Sequence, residues 1–232
     1  MTYLNIIAEG SSEENFVNQV IVAHFATSGI YVSVRRIKTG WDKKGKKPAK
    51  GGLLRYGLFR NDILNWIKSD NQKANTWYTS FVDLYAFPKD SSSPYTDKIS
   101  KITDPYQKIK VLEEAIAKDI AHPNFIPYVQ LHEFETFLLV DVNELKMMYP
   151  DKEREIDKLK KNVGTAEPEE INESPQTAPS KRIIKYIPEY ENSKAQVGPL
   201  TAKEIGMEKL RSKCRHFDEW ITKLSRLSTI QK

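Results

Sequence analysis

Cysteine is nearly absent from the sequence, with Cys214 the only one in 232 residues. A single cysteine forms no internal disulfide and offers no thiolate zinc site. Apolar stretches such as Val20–Phe25 are far shorter than the roughly 20 residues of a bilayer-spanning helix. Because Met1 leads into an apolar run without a basic segment or cleavage-site pattern, we expect no signal peptide, no membrane association and a cytoplasmic location.

Glycine-rich phosphate loops are also missing. The ten glycines form neither a Walker-type nor a Rossmann-type loop, which argues against nucleotide binding by those two routes. The composition, 39% hydrophobic and 29% charged, is that of an ordinary globular protein. The length fits one large domain, or one domain with a helical extension.

Positive charge is concentrated in one part of the chain. The formal net charge is +5, and the segment from Arg35 to Arg60 carries ten cations against the single acid Asp42. Together with Trp41 and Tyr56, these charges would attract a polyanion and stack on bases. An ordinary solvated loop is an equally open alternative.

Short apolar segments alternate with helical ones in the first part of the chain. The predicted strands are Tyr3–Ala8, Ile30–Ile37, Trp77–Leu84 and Phe125–Leu131. Helical patterns separate them, in a segment capped by Ser11 or Ser12, in Leu53–Lys68 and in Pro105–Ile120. This alternation predicts an α/β fold with a parallel sheet of about four strands flanked by helices.

The strand pattern ends at Val140. The remainder reads as short helices broken by Pro150, Pro168, Pro175, Pro179, Pro188 and Pro199. We therefore predict an α/β domain over residues 1–140 and a helical cap or extension over residues 141–232, packed on the same core. Helical spacing within that extension predicts buried positions at Cys214, Phe217, Trp220 and Leu224.

Acidic residues follow three of the four predicted strands. Glu9 comes after the first strand, Asp83 lies at the end of the third, and Glu133 follows the fourth. Glu13 lies one helical turn beyond Glu9, and Glu135 is two residues beyond Glu133. Because ligands of an open parallel sheet bind beyond the carboxyl ends of its strands, we expect these carboxylates to converge.

Converging carboxylates repel one another unless a cation neutralises them. Oxygen ligands suit Mg²⁺ or Mn²⁺, which polarise phosphoryl oxygens and activate water. Taken singly, each acid also has an ordinary interpretation, such as a first-turn helix acid for Glu13 or a loop cap for Asp83. Taken together, the acids predict a divalent-metal site at Glu9, Glu13, Asp83, Glu133 and Glu135.

Two further groups are candidates for the same site. His132 could orient Glu133, hold a phosphate or act as a general base, and a packed, hydrogen-bonded histidine is equally open. Glu169, Glu170 and Asn172 lie in a proline-flanked turn. They could reach the acids, although we favour a surface loop.

The segment Thr177–Arg182 has the pattern of a helix start. Thr177 or Ser180 would cap the helix, and two cations follow in its first turn, an arrangement that suits a phosphate or is simply solvated. The cations predicted to hold a nucleic-acid backbone are Arg35, Arg36, Lys181 and Arg182.

Two short motifs surround the first acids. A hydrophobic strand is followed by EGSSE at Glu9–Glu13, and FVDLY occupies Phe81–Tyr85. They resemble motifs of Toprim domains, the metal-binding fold shared by topoisomerases, primases and the overcoming-lysogenization-defect (OLD) nucleases. FVDLY stands where those domains carry an Asp-x-Asp motif.

Longer segments extend the likeness over almost the whole chain. They are Phe125–Leu139, Glu167–Asn172, Thr177–Arg182 and Cys214–Trp220. These segments are similar to a bacterial Toprim-like family of unknown function that is often encoded beside an ABC-type ATPase.

The resemblance implies a Toprim-like fold and Mg²⁺-dependent cutting or remodelling of nucleic acid, with Glu9, Glu13 and Asp83 at the metal. Tyr85 departs from the pattern, because it replaces the second aspartate and removes one oxygen ligand. Glu133 or Glu135 would then have to compensate, or only one metal would bind.

We therefore predict a metal-dependent nuclease or phosphodiesterase acting on DNA or RNA in a bacterial defence or mobile-element system. Its predicted catalytic residues are Glu9, Glu13, Asp83, His132 and Glu133. The alternative is a non-catalytic Toprim-like regulatory subunit of a partner ATPase, which Tyr85 favours. A phosphotransfer or nucleotide-hydrolysing enzyme is a third interpretation, since the same acids could serve a small phosphate ester.

Overall fold

The computed structural model describes residues 1–37, 53, 55–70, 75–85, 87–171 and 176–228. Most of the basic segment between Arg35 and Arg60, including Trp41, lies outside the described residues. Asn172 and Pro175 also lie outside them.

Parallel strands form the centre of the molecule. They are β1 (Thr2–Ala8), β2 (Ile30–Arg36), β3 (Thr76–Asp83), β4 (Phe125–Ile126) and β5 (Val129–Gln130). Their order is β2-β1-β3-β4, and β5 pairs with the end of β3. All pairings are parallel, which confirms the predicted α/β fold.

The fourth predicted strand is two short strands rather than one. Pro127 lies between β4 and β5, and proline has no backbone N–H with which to continue a ladder. The Ser80 side chain replaces the missing pairing, because its Oγ donates to the Tyr128 carbonyl and accepts from the Tyr128 N–H, both at 2.9 Å. The interruption leaves β5 paired opposite Val82 and Asp83.

Helices account for most of the remaining described chain. They are α1 (Ser11–Phe16), α2 (Val22–Phe25), α3 (Tyr56–Ser69), α4 (Asp97–Ser100), α5 (Pro105–Ile120), α6 (Leu145–Met148), α7 (Glu153–Val163), α8 (Pro179–Tyr186), α9 (Lys194–Ile205), α10 (Met207–Lys213) and α11 (Arg215–Ser225). A π-helical segment, Val17–Ile21, joins α1 to α2. None of the helices in the described ranges is long and apolar enough to cross a membrane.

Most prolines of the C-terminal region open helices instead of breaking them. Proline has a fixed φ and needs no N–H partner in the first helical turn, so it suits that position. Among the described prolines of this region, Pro199 is the exception, since it lies inside α9. The prolines at helix starts are Pro150, Pro168, Pro179 and Pro188.

Hydrophobic side chains pack on both faces of the sheet. Along β1, Leu4 and Ile6 belong to one core and Ile7 to the other, as expected when successive side chains of a strand point to opposite faces. Helices α3 and α5 cover the second core, while α1 and the C-terminal helices cover the first. The first core contains residues from both sides of Val140. The division into an α/β domain and a helical extension at this residue stays a prediction.

The last helix, α11, packs directly on the central strand. The indole N–H of Trp220 donates to Thr79 Oγ1 at 2.9 Å, and its ring stacks on Tyr128 with the centroids 4.1 Å apart. Cys214, Phe217 and Leu224 are all fully buried. The prediction that these positions belong to the core is confirmed.

Gly198 allows α9 to approach the centre of the first core. A Cβ atom at this position would lie 3.0 Å from Phe134 Cε1 and 3.0 Å from Tyr190 Oη. Both neighbours are buried, so they have little room to shift. Gly198 therefore sets the distance between α9 and the segment that carries Phe134.

We expect Gly198→Ala to destabilise the protein by about 1 kcal/mol, because crowding outweighs the gain in helix propensity. Urea denaturation measures the free energy of unfolding. Gly57→Ala is the matched control, since its Cβ would meet only Ser92 Oγ at 3.7 Å. A Gly198→Ala protein as stable as the Gly57→Ala protein would contradict this account.

Candidate functional site

Glu9 joins three parts of the chain at the carboxyl end of β1. Its Oε2 accepts the Asp83 N–H at 2.9 Å, and its Oε1 accepts the Leu53 N–H at 3.0 Å. Its own N–H donates to the Phe81 carbonyl at 2.9 Å. Burial raises the pKa of the Glu9 carboxyl, and the two N–H donors oppose that rise.

Glu13 lies in the first turn of α1, four residues after Glu9, and is buried. Its Oε2 accepts the Gly10 N–H at 2.7 Å, so Gly10 is the cap residue and Glu13 completes the cap. The prediction of a cap at Ser11 or Ser12 is therefore wrong. Burial, followed by the negative charge of Glu9, raises the pKa of Glu13 to about 8.

Asp83 ends β3 between these acids and the fourth strand. The residue as a whole is half-buried, but its Oδ1 is fully buried and has no hydrogen-bond partner among the described residues. Burial and then the charges of Glu13 and Glu9 raise the pKa of Asp83 well above its usual range. An unpaired buried carboxylate oxygen is costly unless the group takes up a proton or meets a cation.

Glu133 and Glu135 lie beyond β5, and both are buried. Glu133 Oε2 accepts the Ser180 N–H at 2.9 Å, at the start of α8. Glu135 Oε1 lies 3.3 Å from the Tyr190 hydroxyl and 3.4 Å from the Lys194 ammonium. Burial raises the pKa of Glu135, and the charge of Lys194 opposes that rise.

The five acids form one acidic cluster, consisting of Glu9, Glu13, Asp83, Glu133 and Glu135. The charges of the other four all act on Asp83, so the cluster is a single electrostatic unit. As the side chains stand, however, no three Asp, Glu, His or Cys residues in the described ranges are placed to hold a metal ion. A cation would therefore have to draw the carboxylates together by side-chain rotation.

Oxygen donors remain for such a cation. Asp83 Oδ1 has no partner within the described structure, and Glu13 and Glu133 each use Oε2 in the hydrogen bonds given above. An all-carboxylate set matches the oxygen preference of Mg²⁺ and Mn²⁺. The carboxylate groups of the cluster are thus chemically suited to bind a hard divalent cation.

The predicted phosphate-binding arginines of β2 differ in position. Arg36 lies opposite Ala8 in the sheet, at the same edge as Glu9, and pairs with Glu14 at 2.8 Å. Arg35 instead places its guanidinium 4.1 Å from the centre of the Trp66 ring. Both are exposed, and Arg36 is the one beside the acidic cluster.

The second predicted pair of cations lies in the first turns of α8. Ala178 caps this helix, so the predicted cap at Thr177 or Ser180 is wrong. Arg182 donates to the Thr177 carbonyl at 2.8 Å and to Asn162 Oδ1 at 2.9 Å. Lys181 is exposed and follows Ser180, whose N–H contacts the cluster.

His132 is packed beside the cluster and has a positive φ of 63°. Its Nε2 lies 2.9 Å from the Glu169 carbonyl oxygen, and its own carbonyl accepts the Tyr85 N–H at 2.8 Å. Burial lowers the pKa of the imidazole. Of the roles left open by the sequence, the packed, hydrogen-bonded histidine matches this geometry.

Glu169 is not in a surface loop as we had expected, but fully buried. Its carboxylate accepts the N–H groups of His216 at 2.8 Å and Phe217 at 3.1 Å, so it binds the amino end of α11. The hydroxyl of Tyr106 donates to the same carboxylate at 3.3 Å. Glu169 thus fixes α11 and does not join the acidic cluster.

Sequence reasoning did not identify Tyr190, Lys194 or the backbone of Ser180 as parts of the site. Each of these residues contacts an acid that lies at least 47 residues earlier in the chain, the smallest separation being that of Ser180 and Glu133. Lys194 resembles any other surface lysine in the sequence. A cation beside a predicted metal ligand becomes visible only when α9 is placed against the sheet.

The fold and site together define an α/β protein whose acidic cluster lies beyond the carboxyl ends of parallel strands. The chain belongs to the family described as a domain of unknown function (DUF4276), whose model matches residues 8–225. Comparisons with curated proteins and with solved structures gave no match.

We expect the metal-free protein to lose stability as the pH rises from about 4.5 towards 8, since folding raises the pKa of Glu13. An acid of this kind stabilises the fold below its unfolded pKa, and that contribution is lost as the pH passes through its folded pKa. Glu13→Gln keeps an oxygen for the Gly10 N–H, so it should flatten the profile and add about 2 kcal/mol near pH 8.5.

Urea denaturation in EDTA between pH 4.5 and 9 measures this dependence. Glu153→Gln, an exposed acid in the first turn of α7, is the control and should follow the wild-type profile. Superimposable profiles for the wild-type and Glu13→Gln proteins would show that Glu13 is not coupled to folding.

Proposed function

We propose that this protein is a Mg²⁺- or Mn²⁺-dependent phosphodiesterase that cleaves nucleic acid. The proposal is carried by Asp83, whose buried Oδ1 has no partner in the described part of the chain although four other acids act on it. Of the five acids, Glu135 alone has an ion pair among the described residues, with Lys194. A fold that holds this much negative charge with so little compensation is stabilised by binding a cation.

Asp83 would hold the cation together with Glu9, Glu13 and Glu133, and Glu135 is the further candidate. When bound, the ion would supply Lewis-acid polarisation of a phosphate and activation of water. Tyr85 stands where the Toprim motif has a second aspartate, and Glu133 enters the set from the neighbouring strand end.

The protein's own groups prepare the site before substrate arrives. Two backbone N–H groups fix the Glu9 carboxylate, and the Ser180 N–H fixes Glu133. Arg36 at the same sheet edge and Lys181 beside Ser180 would hold the phosphates on either side of the cleaved bond. His132 would position Glu133, its neighbour in the chain, through the backbone.

The likeness of the motifs to Toprim domains extends the proposal to its biological setting. We infer a role in bacterial defence or in a mobile element, with an ABC-type or OLD-type ATPase as a partner. This setting follows from the resemblance of the motifs alone.

The alternative function is a non-catalytic regulatory subunit of such an ATPase. Tyr85 in a ligand position favours it, as does the lack of three preassembled ligands among the described residues. Copurification with the ATPase and no metal binding by calorimetry would support this alternative.

We expect Asp83→Asn to abolish saturable Mn²⁺ binding and to lower metal-dependent cleavage of DNA or RNA by at least about 100-fold. The substitution removes a ligand charge and also relieves repulsion, so the metal-free variant should be at least as stable as the wild type. Calorimetric titration with Mn²⁺ and gel assays on labelled strands measure the two effects.

Asp97→Asn is the matched control, because Asp97 is an exposed acid in α4. It should bind Mn²⁺ and cleave as the wild type does. A folded Asp83→Asn protein with full activity would overturn the proposed assignment of the metal site.

A further inference from the structure

A cavity of about 430 Å³ is lined by residues that neighbour two acids of the cluster in the chain. Its wall includes Tyr85, which follows Asp83 by two residues, and His132, which directly precedes Glu133. The Tyr85 N–H donates to the His132 carbonyl at 2.8 Å, which joins these two parts of the wall. The cavity wall is therefore formed in part by the same two chain segments that carry Asp83 and Glu133.

One aromatic ring in this wall is available to a ligand. Tyr85 is 39% exposed and has no ring contact with another aromatic residue of the described structure. Tyr95, in contrast, packs on Phe87 with the centroids 6.1 Å apart and lies 5.0 Å from the Lys89 ammonium. Tyr85 is thus the ring on which a planar group could stack.

The charge of the cavity is mainly positive. Lys108 is half-buried in its wall and has no ion-pair partner among the described residues, and Lys89 is exposed at the same cavity. Glu170 is the single acid among the described residues that line it. An unpaired cation in a partly enclosed cavity favours an anionic ligand.

We propose that this cavity binds one nucleotide of a single-stranded nucleic acid, with its base on Tyr85 and its phosphate on Lys108. The volume is within the range of small-ligand sites, and an aromatic ring with a nearby cation is the usual means of binding single strands. The inference rests on the proposed function, because the next phosphodiester would then reach the acidic cluster. Tyr85 serves the substrate where Toprim domains have a metal ligand.

Binding is measured by fluorescence anisotropy with labelled twelve-residue oligodeoxythymidylate and oligouridylate, in EDTA so that no cleavage occurs. Tyr85→Ala should weaken binding about tenfold, which corresponds to the loss of one stacked base. Tyr85→Phe keeps the ring and should bind within about twofold of the wild type. Lys108→Ala should weaken binding about fivefold and reduce its salt dependence.

Two variants outside the cavity are controls. Tyr31→Ala removes a tyrosine of β2 that is 57% exposed, and Lys110→Ala removes an exposed lysine of the same helix as Lys108. Both should bind as the wild type does. An oligonucleotide that is abasic throughout should bind the wild type and Tyr85→Ala equally, since only the base contacts the ring.

The outcomes separate this inference from the proposed function. Equal binding by the wild type and Tyr85→Ala, or no binding of either strand, overturns the cavity assignment even if metal-dependent cleavage is observed. Loss of binding in Tyr85→Ala without any metal binding by the wild type supports the cavity and counts against the phosphodiesterase. Thymidine monophosphate bound as tightly as the strand would overturn the assignment to a strand. The two oligonucleotides distinguish DNA from RNA.

Discussion

The Glu9 carboxylate is the contact on which the geometry of the site depends. It accepts one backbone N–H from the end of β3 and another from Leu53, just before α3, so that three separate parts of the chain meet at one side chain. A charged acceptor is well suited to this, because hydrogen bonds to a carboxylate are stronger than those between neutral groups. The same contact holds the Glu9 carboxylate in a partly enclosed place. Burial, followed by the charge of neighbouring acids that include Glu9, raises the pKa values of Glu13 and Asp83.

The buried charge is balanced from the C-terminal half of the molecule. Ser180 supplies an N–H to Glu133, and Tyr190 and Lys194 supply a hydroxyl and a cation to Glu135. Gly198 lets α9, the helix that carries Lys194, pack closely on the core, since a side chain there would meet Phe134 and Tyr190. The helical region therefore completes the acidic cluster and does more than cover the sheet.

Local patterns were sufficient to predict the parallel sheet and the gathering of the acids. Strand periodicity identified β1, β2 and β3, and the rule that ligands bind at strand ends brought Glu9, Asp83 and Glu133 together. The same patterns did not indicate that Pro127 divides the fourth strand, or that Glu169 is buried at the start of α11. Those features depend on contacts between residues far apart in the chain, such as Ser80 and Tyr128. A pattern within a short stretch of sequence does not predict such contacts.

The position of α11 also has a consequence for the order of events during synthesis. Trp220 bonds to Thr79 of the central strand, yet the ribosome makes the strand 141 residues before the helix. Until α11 emerges, the Phe81 and Tyr128 rings against which Trp220 packs lack their cover. Domains generally fold as units during translation, so the acidic cluster would be assembled only after α11 has left the exit tunnel. The proposed metal site would therefore be absent from shorter nascent chains that already contain every strand of the sheet.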